Sequence, residues 1–174
     1  MHMKNGIAKV LASAGIIVLL ITITQPPGAY AKEEHTALGP QLSERLRTLL
    51  REEMNLIQAG MGRALIAIAA GDHQAVYENG RDIYKSFILK QQLTEEDRRE
   101  LMAVAPVGFI ELDGAFHDTA HKLAKAGRDE DSELQAFYFS RLVESCTVCH
   151  GRHASDRFPG LSRLGESGSG HHHH

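Results

Sequence analysis

The stretch Asp131-Ser-Glu-Leu134-Gln-Ala-Phe137-Tyr138-Phe-Ser-Arg-Leu142-Val-Glu-Ser-Cys146-Thr-Val-Cys149-His150 reads as one helix. Its apolar residues recur three or four apart, the spacing that lines one face of a helix, rather than with the period of two that a strand shows. The pattern holds upstream. Residues 41–70 form an expected helix A, with Leu42, Leu46, Leu49, Leu50, Met54, Ile57, Met61, Leu65 and Ile68 on the inner side and Gly71 as its end. Asp72 is the expected N-cap of helix B, which carries Val76, Gly80, Ile83, Tyr84 and Phe87 inward and fades near Gln91. Thr94-Glu-Glu-Asp97 resembles a capping box and opens a short connecting helix through Val104, closed by Pro106. Helix C covers residues 108–126 and presents Phe109, Leu112, Phe116, Ala120 and Leu123. Helix D is the stretch quoted, and the chain after His153 is expected to be irregular, with the segment from Arg157 to Leu164 either folding back or fraying. The fold class is all-α, an antiparallel four-helix bundle.

Cys146 and Cys149 are the two cysteines of the chain, and they fall in the pentapeptide Cys146-Thr-Val-Cys149-His150. Cys-x-x-Cys-His is the spacing of a covalent c-type haem site. Two thiols three residues apart share a helix face, where they can add to the two porphyrin vinyl groups, and the following imidazole can reach the iron. A thioredoxin-like redox pair would want a βαβ context, and half a zinc site would want two further ligands at matching spacing. A structural disulfide is the remaining alternative.

Lys4 and Lys9 precede an apolar run at residues 10–23, followed by Ala29-Tyr-Ala31. This is the pattern of a secretory signal peptide, residues 1–31, whose removal would leave a chain starting at Lys32 and exported to the periplasm. Membrane association is expected only if that segment stays uncleaved. Met1-His2 reads as a cloning scar, and residues 167–174, a Ser-Gly linker with four histidines, as a purification tag. Residues 32–166 then form a single domain. Without Lys4 and Lys9 the chain has 17 basic against 22 acidic residues, a formal charge of −5. That balance argues against nucleic acid as a partner and suits solubility or docking to a basic redox protein.

An iron bound by one imidazole leaves its other face open, and the occupant of that face decides between electron transfer and ligand chemistry. In an antiparallel bundle the end of helix D lies beside the first half of helix A. Met54 and Met61 are seven residues apart on one face of helix A, about 10 Å along the axis, so only one can reach the iron, and the topology favours Met54. Met102, in the connector, is a poorer candidate.

The late Cys146-Thr-Val-Cys149-His150 and the run from Met54 through Met61-Gly62 to Asp72 make the chain similar to class II cytochromes c, the cytochrome c′ family, over roughly residues 46–153. In that family the distal position lies seven residues before a Met-Gly pair on the first helix. Met61-Gly62 matches that pair and puts Met54 there. The resemblance is to the low-spin members with His/Met ligation, and implies that His150 and Met54 are the axial ligands of one covalently bound haem c. Relatives often place an aromatic and a basic residue three and four positions after the haem histidine; here those positions hold His153 and Ala154. Similar proteins often form homodimers through helices A and B.

Met61, Phe116 and Phe137 are the expected haem-pocket walls, with ordinary core packing as the competing account. His117 and His121, four apart on helix C, are expected to be solvated or hydrogen-bonded surface residues rather than a metal pair. His153 is expected to be exposed, and Glu53 and Asn55 to point away from Met54's face. The leading function is an exported one-electron carrier that is not an enzyme, in which the thioether raises the potential relative to two nitrogen donors. The alternative is a gas-binding (NO or CO) protein with an open or displaceable distal site in a pocket of Ile57, Ala64 and Phe116. A peroxidase-like enzyme would want a distal acid or base.

Overall fold

The computed structural model describes residues 37–161, all-helical, with no strand among them. The expected signal peptide and tag lie outside the described residues. Four long helices are present: α1 (Glu44–Ala70), α2 (His73–Lys85), α5 (Val107–Arg128) and α6 (Ser132–His153). Between α2 and α5 run the single turn α3 (Leu89–Gln92) and the short α4 (Glu95–Val104).

The capping residues explain these boundaries. Ser43 accepts the Leu46 N–H at the start of α1, and Gly71, at φ 68°, ends it in the left-handed conformation that glycine adopts without strain. Asp72 caps α2 at once by accepting from Ala75 N–H, so the chain reverses within two residues. Asp131 does the same for α6 through Leu134 N–H. Thr94 and Asp97 form the full reciprocal capping box of α4.

Close approach of two backbones fixes the middle of the fold. A Cβ on Gly80 would sit 2.7 Å from Ala124 N and 3.1 Å from the Ala120 carbonyl oxygen, and one on Gly127 would sit 2.5 Å from Tyr77 N. No side chain fits at either place. Because Gly80 meets Ala120 and Ala124 while Gly127 meets His73 and Tyr77, α2 and α5 run antiparallel. Helix α1 packs on α2 and α6 on α5, whereas α1 and α6 approach each other closely at few positions. The main core gathers Ala64, Ala67, Val76, Ile83, Ala120, Leu123 and Leu142, with Met61, Phe87, Phe116 and Phe139 against it. Full burial of Leu123 and Leu142 is worth about 1.5–3 kcal/mol each. A second cluster, Leu38, Leu42, Leu46 and Phe109, closes the opposite end of α1.

The buried line of α1 differs from the expected one. It runs Leu46, Glu53, Ile57, Gly60, Ala64, Ala67, while Leu65 is 52 % exposed. Small residues let α1 approach α2, as Gly60 does against Ile83, and this turns the bulkier Leu65 outward. Leu134 and Phe137 on α6 and Tyr84 on α2, all expected inward, are likewise exposed.

Glu53, expected to point aside, is 1 % exposed. Its carboxylate accepts from the Ser86 hydroxyl (2.7 Å) and from the backbone N–H groups of Phe87, Ile88 and Leu89. Ser86 at φ 59° ends α2 and turns those donors inward, and the carboxylate satisfies all of them. Glu53→Gln puts an amide N–H₂ among donors, and we expect a loss of about 3 kcal/mol in urea unfolding. The exposed Glu52→Gln should stay within about 0.5 kcal/mol of the parent. Equal midpoints for the two variants would contradict the assignment.

Helix α4 is tied to the start of α1. Arg45 donates to Asp97 (2.9 and 3.1 Å), and Ser43 N–H donates to Glu100 (2.7 Å). The Arg45 guanidinium, then the Thr94 N–H and hydroxyl, hold the Asp97 carboxyl well below the ordinary carboxylate range. A depressed carboxylate contributes stability above the unfolded value near ~4 and loses it as pH falls towards the folded one. The stability gap between parent and Asp97→Asn should therefore be largest above about pH 5 and shrink below about pH 4. It should also narrow in high salt, since the Arg45 side chain is 59 % exposed. A gap unchanged by acid would refute this reading.

Candidate functional site

Cys146, Cys149 and His150 lie in the last two turns of α6, and all three are half-buried. Both cysteines are free thiols. Three residues of helix separate the two sulfurs by about 4.5 Å of rise and place them about 60° apart around the axis. Cys149 packs against the cluster of Leu38, Leu42, Leu46 and Phe109 together with Leu49 and Leu50. The antiparallel arrangement thus brings the motif beside the first half of α1.

Electrostatics keep the thiols protonated. Burial, then the negative charge of Asp113 and that of a Cys146 thiolate, push Cys149 up to about 11. Burial also raises Cys146. Their place at the C-terminal end of α6, where the helix dipole is negative, acts in the same direction. A thiol–disulfide exchange pair requires the opposite, a lowered pKa at a helix N-terminus or beside a cation. Burial, then the Arg157 charge, lowers the proton affinity of His150. A neutral imidazole has a lone pair to offer to a metal.

Both ends of the described chain close around this turn. Leu38 N–H donates to the His153 carbonyl (2.8 Å), and the His150 carbonyl accepts from Ala154 N–H (3.0 Å). The tail beyond α6 folds back, and Phe158 stacks on the His150 ring at 4.3 Å between centroids and 2° between planes. His153, expected to be exposed, is half-buried with its ring edge-on to Phe109 at 5.7 Å.

The other expected site residues divide. Met54 is half-buried on α1, between Leu49 and Leu50 of the second cluster and Met61 of the main core. Met61 and Phe116 share the main core. Phe137 is not brought to the site: it is 53 % exposed and pairs with Tyr138 at 5.2 Å. Nine residues before Cys146, it lies about half a turn round the helix from it. His117 and His121 part company as well. His117, 3 % exposed, donates from Nδ1 to the Ile83 carbonyl (2.7 Å), whereas His121 stacks on Tyr84 at 4.7 Å. His117 is therefore hydrogen-bonded as expected but buried rather than on the surface, and it bridges α5 to α2. Among the described residues no three His, Cys, Asp or Glu side chains gather as a metal site, and no helix is long and apolar enough to cross a membrane.

Two residues near the site were read only in part from the sequence: Glu53 was expected to point aside, and Phe158 fell in the segment expected to fold back or fray. Glu53 carried a signal, since it falls on the three-and-four spacing from Leu46 to Ala67. For Phe158 the helix stop and the fold-back were among the expectations, but the stack on His150 was not, because it depends on a turn outside any periodic segment.

In comparisons with protein families, characterised proteins and solved structures, the chain has no match. The functional reading therefore stands on the motif and its surroundings.

The raised thiols yield a measurable expectation. A shift from the ordinary thiol value to about 11 leaves about a hundredfold less thiolate at neutral pH. Alkylation of Cys149 by iodoacetamide in the folded, haem-free chain should be slower than in urea by about that factor. A folded rate above the urea rate would identify an activated redox thiol instead.

Proposed function

We propose that this protein is an exported monohaem c-type cytochrome that transfers single electrons, with α1, α2, α5 and α6 as a four-helix bundle around the prosthetic group. The observation that carries the proposal is the α6 turn itself. Two half-buried thiols of raised proton affinity, at the attachment spacing, stand next to an imidazole of lowered proton affinity, beside apolar side chains from the first half of α1.

The residues fit a porphyrin by their chemistry. Cys146 and Cys149 would hold it through two thioether bonds, His150 would ligate the iron through its imidazole, and Met54 would offer its sulfur as a further iron ligand. When bound, haem supplies a one-electron Fe(III)/Fe(II) couple. The protein's own part is to fix and to exclude. Leu42, Leu46 and Phe109 keep water from the Cys149 side, which disfavours extra charge there and favours the reduced state. Placing both thiols and the imidazole on one helix fixes their relative positions, so little rearrangement accompanies a change of charge.

Net acidity suits a basic redox partner met in the periplasm. Export rests on the signal-peptide pattern at residues 1–31.

An optical spectrum of the haem-loaded protein tests the ligand assignment. We expect a low-spin ferric spectrum with the weak far-red methionine-to-iron band, and loss of that band in Met54→Ala. A high-spin spectrum with rapid binding of CO or NO would replace the carrier by the gas-binding reading.

A further inference from the structure

We propose that the segment after the motif, residues 154–161, is a proximal clamp in which Phe158 is a positioning residue for His150. It holds the imidazole plane by face-to-face contact, and the phenyl does not stand in the plane of the ring nitrogens. The inference rests on the haem reading above and concerns what keeps the proximal ligand in place.

The backbone builds the clamp from His150 outward. Ala154 N–H donates to the His150 carbonyl (3.0 Å), and the Ala154 carbonyl in turn accepts from Arg157 N–H (3.0 Å) and Phe158 N–H (2.9 Å). A short 3-10 turn, Pro159–Leu161, follows, tied by Leu161 N–H to the Phe158 carbonyl (2.9 Å). Phe158 is thus returned to the residue whose own carbonyl anchors the turn. The N-terminal segment braces the same place through Leu38 N–H on the His153 carbonyl (2.8 Å).

The geometry of the stack is selective. At 4.3 Å and 2° the phenyl lies flat over the imidazole. The lone pair and N–H of an imidazole lie in the ring plane, so a partner above the face does not compete with a ligand at the edge. It does resist rotation of the ring about the Cβ–Cγ bond, because turning forfeits the stacking contact. Phe158 remains 39 % exposed, so the tail does not bury this ring fully in a core. The fourth position after the haem histidine is Ala154, which is too short to touch the imidazole edge, and the tail instead returns Arg157 to that neighbourhood.

The test uses the full chain matured with haem, as parent, Phe158→Ala, Phe158→Leu and Phe158→Tyr. Phe158→Leu keeps apolar bulk without a flat face, and guards against failure of the alanine variant to fold. The readouts are the rate at which His150 leaves the iron after a stopped-flow drop in pH and the spread of the low-spin ferric EPR signal. We expect ligand loss to be faster by roughly three- to tenfold in Phe158→Ala and Phe158→Leu, with a broadened signal, and parent behaviour in Phe158→Tyr. Variants that lose only thermal stability while keeping the parent rate and signal would overturn the clamp and leave the haem reading intact. A parent chain that retains no covalent haem would overturn both, and the absence of pigment tells the two failures apart.

Discussion

Backbone contact between α2 and α5 is the constraint from which the rest of the architecture follows. Gly80 and Gly127 let the two helices touch along their length, and neither position has room for a methyl group. With that pair fixed, α1 packs on α2 and α6 on α5, and all four helices contribute to one core. Gln135 of α6 reinforces the arrangement by donating to the Ala126 carbonyl (3.1 Å) and meeting His73 Nδ1 at 2.8 Å. What the pair does not supply is close backbone contact between α1 and α6. The space between them is spanned by side chains, and the second apolar cluster and the Cys146–His150 turn are found together at that end.

A buried carboxylate sets the rotation of α1 in this frame. Glu53 is held by the hydroxyl of Ser86 and the N–H groups that follow it, so the face of α1 carrying Glu53 must look inward. Met54, one residue on, is thereby turned about 100° to the side, half-buried rather than central. The residue proposed as an iron ligand thus takes its orientation from a polar network on α2 and α3, outside the motif. His117 ties the same region from the other side, through the Ile83 carbonyl.

The fold was legible where local chemistry decides it. Asp72, Thr94, Asp131 and Gly71 mark helix ends by hydrogen bonds that each residue makes within its own turn, and the structure shows them there. Sidedness was less legible. Hydrophobicity singles out Leu65 and Phe137, but packing density at the α1–α2 contact selects Gly60, Ala64 and Ala67, leaving larger apolar residues outside. Glu53 was misplaced because a carboxylate is read as solvated unless its donors are known, and those donors are 33 to 36 residues away. The clustering of Cys149 with Leu42 and Leu46 follows from antiparallel topology and could be anticipated; the stack of Phe158 on His150 arises from a turn with no periodic signature.

Burial raises the proton affinity of both thiols and lowers that of the His150 imidazole, a combination unsuited to disulfide exchange and consistent with the haem proposal. The most direct test is the intact mass of the protein purified from a host with cytochrome maturation machinery, before and after extraction with acidified acetone. The account predicts a mass increased by one haem, retained through extraction and abolished when Cys146 and Cys149 are both replaced by alanine. A mass equal to that of the polypeptide alone, or pigment that passes into the acetone, would contradict it.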